Sequence, residues 1–353
     1  MARPNVARDP DCTAEMLRGL PKVELHVHLE GTFDAERIAE LAADAGEELP
    51  RPVAGLFECA DLDGFLGFLD WTCGLVRTRE HAERVAYDFA ARATRDGTRY
   101  AEVIVNPTHW RAWRLGELIG SLAAGFDRAQ SDGLADCRLL ISLLREQSGD
   151  DALALVRWMA DERPPRVVGL SVDGNEARSG RTGERFAPAF HLARAEGFGC
   201  VAHAGESSGP EGVRDALDLL EVDRIDHGVR AAEDPALLAR LASSGVPLDV
   251  CLTSNLTMLY ARFEDHPIDR LLDAGVSVTL NTDDPAYLGV DLTDEFVLAS
   301  TRLAWSLDDA VARVRTAIDA SFCEPDLLAA LHGELDGFAA GSGTGAFRNG
   351  GSP

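Results

Sequence analysis

Residues 186–251 read FAPAFHLARAEGFGCVAHAGESSGPEGVRDALDLLEVDRIDHGVRAAEDPALLARLASSGVPLDVC. Three short apolar runs stand out: Gly199–His203, Arg224–His227 and Val246–Cys251. Around them lie longer segments with helical spacing, Phe186–Glu196, Gly212–Leu220 and Pro235–Ser243. The runs are near-continuous in apolar residues rather than alternating, as parallel strands buried on both faces require. Gly197 and Gly245 follow helical segments, where a C-terminal cap needs a left-handed backbone. Strand and helix in alternation form the repeating unit of an α/β fold.

The same alternation continues outward on both sides. Val23–His28, Tyr100–Val105, Arg138–Leu144 and Val167–Val172 read as four earlier strands, and Val276–Thr282 as a last one. Glu80–Arg95, Gly116–Ala129 and Pro267–Ala274 read as helices, with Gly97, Gly133 and Gly275 after them. Eight such units predict a (β/α)8 TIM barrel. The barrel domain is expected over residues 19–338, with a helical insertion from Thr32 to Arg79 after the first strand. Residues 1–18 form an N-terminal extension, and the Gly/Ser-rich stretch 339–353 is expected to be mobile. No second domain is expected.

Composition narrows the function. A chain of 353 residues, 46% hydrophobic and 26% charged, suits a single globular barrel. No apolar run approaches the roughly 20 residues that span a bilayer, and the first twenty residues lack a signal-peptide core. The seven cysteines are scattered with no CxxC pair, which points to reduced thiols, a cytoplasmic location and no cysteine metal site. A net charge of −25 repels phosphate backbones, so neither nucleic acid nor an anionic membrane is an expected partner. Of 34 basic residues one is a lysine, Lys22, four residues ahead of a His-x-His pair. Any Schiff-base, phosphate-binding or metal-bridging lysine would have to be Lys22, and its place near the start of a strand argues against these roles. Oligomeric state is not legible.

Barrel enzymes build their sites at the C-terminal ends of the strands, and polar residues gather there. His26 and His28 close the first strand, Gly174 follows the fourth and His203 ends the fifth. His227 ends the sixth, Thr253–Asn255 follow the seventh, and Asp283 and Asp284 follow the eighth. Residues i and i+2 of a strand share a face, so His26 and His28 point the same way. With His203 and Asp283 they make an N/O donor set suited to zinc, with room for a water. Taken singly, His203 could be a hydrogen-bonded core histidine and Asp283 a helix cap ahead of Pro285. Glu206 lies near the ligands without being needed as one, and burial would equip it to shuttle protons. His227 could act on the water, or could be held in the core by Asp226. Asp284 is placed for a substrate contact, and Gly174 would let a backbone N–H approach a ring closely.

In order along the chain, LPKVELHVHLEGT, SVDGNE, VAHAGE, RIDHGVR, CLTSN and NTDDPAYLG resemble the adenosine/adenine deaminase family of the amidohydrolase superfamily. The resemblance covers about residues 20–335. It implies one zinc ion per chain, held by His26, His28, His203 and Asp283, and a 6-aminopurine substrate. It also implies that Glu206 protonates N1 of the purine, that His227 positions and deprotonates the attacking water, and that Asp283 helps orient it. Asp284 would meet N7, and the Gly174 N–H would meet N3. Asp61–Trp71 matches a helix that gates the pocket, although its periodicity alone reads as ordinary packing.

One position departs from the nucleoside pattern. Members acting on adenosine usually carry HLDG, whose aspartate meets the ribose 5′-hydroxyl, and here Glu30 replaces it. HLEGT, RIDHGVR and DDPAY are commoner in adenine deaminases, whereas GNE, LTSN and NTDD lean to the nucleoside enzymes. The expectation is a nucleoside, adenosine or 2′-deoxyadenosine, with Glu30 still accepting the 5′-hydroxyl. The alternatives are free adenine or a 5′-modified adenosine. A catalytically inactive binding relative should have lost a ligand, Glu206 or His227, and all are present. A barrel hydrolase of phosphoesters or amides would have no use for acids matched to N1 and N7.

Overall fold

The computed structural model describes residues 12–59 and 62–343. The apolar runs become eight parallel strands, each neighbouring the next in chain order: β1 Lys22–His28, β2 Thr98–Val105, β3 Asp136–Leu144, β4 Val167–Asp173, β5 Gly199–Ala204, β6 Arg224–His227, β7 Leu248–Val250 and β8 Val278–Leu280. Helices cover the outside in a (β/α)8 barrel. They are α1 Ala14–Gly19, α2 Ala35–Ala45, α3 Leu62–Leu75, α4 Arg79–Arg95, α5 Leu115–Ser131, α6 Gly149–Glu162, α7 Glu176–Ser179 and α8 Gly183–Ala195, then α9 Pro210–Asp218, α10 Pro235–Ser244, α11 Leu252–Met258, α12 Ile268–Asp273, α13 Pro285–Leu288, α14 Leu292–Arg302, α15 Leu307–Ala320 and α16 Pro325–Gly343.

Gly97, Gly133, Gly197, Gly245 and Gly275 all have φ between 73° and 91°, the left-handed turn expected after a helix. Two strands are shorter than their apolar runs. Pro247 has no N–H for a ladder, though its carbonyl accepts from Ile225 N at 3.0 Å. At the other rim, the Asn281 side chain takes over from the backbone: its Oδ1 accepts from Leu25 N (2.8 Å) and His26 N (3.2 Å). A parallel bridge between Val27 and Asp283 completes the junction of the last strand with the first. Asp283 is thereby locked to β1, with His28 N donating to its carbonyl at 2.8 Å and its own N–H donating to His26 O at 3.1 Å.

The main core lies between strands and helices, and the described part of the N-terminal extension joins it through Leu17 on α1. Residues 1–11 lie outside the described residues, as does most of the tail expected to be mobile, α16 running to Gly343. Inside the barrel, Ile104, Leu140 and Val201 form a small apolar cluster with Phe322 against it. Gly199 leaves the space that the Phe322 ring fills, since an added Cβ would overlap it. Arg224 spans the interior, donating to Asp249 Oδ2 (2.9 Å), Glu102 Oε2 (2.6 Å) and Ala320 O (2.9 Å). Its guanidinium also lies 4.2 Å over the Phe322 ring. A buried cation is tolerable here because every face of it meets a partner. Lys22 is equally buried, its ammonium donating to Leu17 O (2.9 Å), Leu20 O (3.3 Å) and Arg18 O (3.4 Å) at the end of α1, far from the strand C-termini. No helix of the described residues is long and apolar enough to cross a membrane.

Candidate active site

The strand ends bring four donors together. His26 and His28 come from β1, His203 from β5 and Asp283 from just beyond β8, and one ligand atom of each lies within 4.8 Å of all the others. His28 Nε2 is 3.0 Å from His203 Nε2 and 3.3 Å from Asp283 Oδ1. His26 Nε2 is buried with no hydrogen-bond partner, and Asp283 Oδ1 stands 3.2 Å away. Lone pairs crowded this closely, one of them orphaned, call for a cation at their centre. Three imidazole nitrogens and one carboxylate fit a divalent ion such as zinc. Cys251 Sγ lies 3.5 Å from His26 Nδ1, but burial pushes its thiol well up, so it stays protonated behind the donor set.

Outer contacts fix the imidazoles. Asp226, fully buried on β6, sets Oδ2 3.1 Å from His203 Nδ1 and Oδ1 3.5 Å from His26 Nδ1. One carboxylate facing both Nδ1 atoms leaves the Nε2 lone pairs turned to the cluster. Ser254 Oγ donates to Asp283 Oδ2 at 2.6 Å. Asp283 and His227 both hold positive φ, 66° and 60°, which non-glycine residues rarely adopt. Local strain of this kind persists where surrounding structure enforces it. For Asp283 the enforcement is the bridge to Val27.

The remaining groups line one cavity above the donors. Burial and the nearby Asp283 charge push the Glu206 carboxyl up to about 7. His227 Nε2 faces Glu206 Oε1 at 3.6 Å and Asp283 Oδ2 at 3.9 Å, while its Nδ1 pairs with the Asn255 amide at 3.1 Å. Burial, reinforced by His26, holds the His227 imidazole well below its usual range and therefore neutral. Asp284 precedes α13 but makes no side-chain cap there, and its Oδ1 is buried without a partner. Gly31 permits this approach, because an added Cβ would overlap the Asp284 carboxylate. Gly174 has φ 100° at the cavity wall. Glu30 is pinned: its Oε1 accepts from Asn106 N (2.8 Å) and from the indole of buried Trp110 (2.7 Å), while Oε2 is buried with no partner. Burial raises this carboxyl as well.

All nine residues singled out in the sequence thus meet at one end of the barrel, eight in the cavity wall and His26 in the donor cluster beneath. Of the helix expected to gate the pocket, Phe65, Leu66 and Leu69 on α3 line the cavity, and Tyr287 of α13 lies 4.1 Å from the Phe65 ring. Asp61 lies outside the described residues. Sequence reading overlooked Asp226 as the partner of His26 and His203, and also Trp110, Asn106 and Glu176. For Asp226 a signal existed: Arg224 and Asp226 alternate on one face of a buried strand, where charges demand partners. Trp110 and Asn106 carried none, since their roles depend on the loop after β2.

Known proteins resemble this chain in sequence and in fold. The family model described as adenosine deaminase matches residues 21–337. A curated relative named adenine deaminase, from Cupriavidus metallidurans, is 38% identical over 332 residues, covering 92% of this chain and 93% of its own. A crystal structure of adenine deaminase from Arthrobacter aurescens superposes with a TM-score of 0.85 at 30% identity, covering 91% of this chain and 99% of that one. An amidohydrolase from Burkholderia ambifaria, solved with bound zinc, superposes with a TM-score of 0.86 at 30% identity, covering 97% of each chain.

Proposed function

The chain belongs to the adenosine deaminase family, and on that premise we propose that it converts free adenine to hypoxanthine and ammonia, using one zinc ion. It is a purine deaminase; the choice of the base over the nucleoside is carried by Glu30. The expected nucleoside substrate needs a carboxylate that can swing outward to a ribose hydroxyl. Instead Glu30 is tied down through Oε1 by Asn106 and Trp110, and only Oε2 is left unpaired. Adenine carries an N9–H where a nucleoside carries a sugar carbon, and an orphaned carboxylate oxygen is the acceptor such a donor seeks. The relatives named adenine deaminase support the same choice.

In this reading His26, His28, His203 and Asp283 hold the zinc, which when bound supplies Lewis acidity that makes water nucleophilic near neutral pH. Neutral His227 accepts the proton of the attacking water. Glu206, whose raised carboxyl retains a proton near pH 7, gives it to N1, so that C6 becomes electrophilic and takes the water oxygen. Burial and the adjacent Asp283 raise the Asp284 carboxyl well above its usual range, leaving it a proton to offer N7. The Gly174 N–H meets N3. His227 returns its proton to the 6-amino group as ammonia leaves, and the proton of the C6 hydroxyl passes to Glu206, restoring that carboxyl and leaving the 6-oxopurine.

The test is kcat/KM for adenine, 9-methyladenine, adenosine and 2′-deoxyadenosine, followed by ultraviolet absorbance. Adenine should lead by about 10²-fold or more, because each competitor leaves a buried carboxylate oxygen unpaired. Equal or better turnover of adenosine would restore the nucleoside reading.

A further inference from the structure

The segment Gly205–Ser208 carries Glu206 between β5 and α9 without regular secondary structure, so its backbone N–H groups need other partners. They find one carboxylate. Gly205 N donates to Glu176 Oε1 at 3.0 Å, while Glu206 N, Ser207 N and Ser208 N donate to Oε2 at 2.8, 3.1 and 3.3 Å. Ser208 Oγ adds a bond to Oε1 at 2.9 Å. Glu176 opens α7 and is 2% exposed. Burial alone would raise its carboxyl, but Arg145 at 3.8 Å and these amides hold it below the usual range, as an anion. Gly212 adds shape, since a Cβ there would come within 2.9 Å of Oε1.

We propose that Glu176 is a positioning residue for proton transfer, its carboxylate fixing residues 205–208 and so setting where the Glu206 carboxyl meets the purine. The inference rests on the reading of Glu206 as the proton donor. The Glu206 carboxyl has His227 Nε2 3.6 Å away, beyond ordinary hydrogen-bond range, so its place is inherited from its own backbone. A displacement of about 1 Å in such a group can cost roughly 10²-fold in rate.

A kinetic double-mutant cycle on zinc-loaded protein tests this, with wild type, Glu176→Gln, Glu206→Gln and the double variant assayed on adenine. Glu176→Gln should lower kcat about 10²-fold with KM and zinc content nearly unchanged. In the Glu206→Gln background the same change should cost almost nothing further, because the group being positioned has lost its proton. A merely structural role predicts an equal loss in both backgrounds, and that result overturns the proposal. So does near-normal kcat in Glu176→Gln alongside a disabled Glu206→Gln. Normal turnover in Glu206→Gln sinks the premise, and this proposal with it. Should Glu176→Gln fail to fold, Ser208→Ala removes one Oε1 donor and should show a smaller kcat loss that also vanishes with Glu206→Gln. No loss in Ser208→Ala then counts against the proposal.

Discussion

Replacing Asp226 by asparagine keeps the shape of the side chain and changes one oxygen into an NH2 donor. In the native arrangement both oxygens face imidazole Nδ1 atoms, His203 at 3.1 Å and His26 at 3.5 Å. Asparagine can accept from one of them, and the shorter contact favours His203. The NH2 group then opposes His26 Nδ1–H, donor against donor. A hydrogen bond to a charged acceptor is worth about 1.5–3 kcal/mol, or roughly 10- to 150-fold in an equilibrium constant, and the 3.5 Å contact between Asp226 and His26 falls short of one. His26 Nδ1 also keeps its own hydrogen-bond partner, Asp249 O at 3.3 Å. The loss should therefore fall near the bottom of that range, at about 10- to 30-fold weaker zinc binding, consistent with what outer carboxylates usually contribute. Competition with a chelating dye at fixed pH measures this without reference to activity. A zinc Kd unchanged in Asp226→Asn would refute the role given to this carboxylate.

Arg224→Met strands Glu102 and Asp249 as buried charges, and denaturant titration should show a loss of about 3–5 kcal/mol. A loss below about 1 kcal/mol would refute the structural role given to this buried ion-pair network. Chelation should lower Tm, and free zinc at about a hundred times its Kd should return about 2.7 kcal/mol; an unchanged Tm would contradict a zinc site shared by three strand ends. Glu295 accepts from Leu252 N (2.8 Å) and Thr253 N (3.2 Å) at the start of α11, and burial pushes its carboxyl from 4.5 up to about 7. Between those values the folded protein keeps a proton that the unfolded chain has released. This contribution is therefore complete below pH 4.5 and lost as pH rises through 7, about 3 kcal/mol at most. Glu295→Gln removes that titration, so wild type should lose stability relative to the variant between about pH 5 and 7.5. A constant difference would show that Glu295 titrates normally.

The barrel and its site were legible to different depths. Near-continuous apolar runs separated by helical spacing announce parallel strands, because burial on both faces leaves no position for polar residues except the ends. That rule made His26, His28, His203, His227, Asp283 and Asp284 visible as exceptions. The loop after β2 and the floor of the barrel obey no such rule. Trp110 and Glu30 are eighty residues apart in sequence and meet through the Trp110 indole. Arg224 reads as a strand residue of the wrong polarity until Glu102 and Asp249 appear on either side of it.

Glu30 marks the boundary between what the chain states and what the fold decides. The sequence by itself indicated the barrel, the four candidate donors and the two residues proposed to handle protons, because near-continuous apolar strands and strand-end polarity are local properties carried by neighbouring residues. It also showed that Glu30 stands where an aspartate is usual, but one extra methylene can reach further or fold back. Only the tertiary structure chose, by placing Asn106 N and the Trp110 indole against Oε1 and leaving Oε2 unpaired. The rotamer of a buried carboxylate follows the donors around it, and those donors arrive from segments whose approach no local pattern encodes.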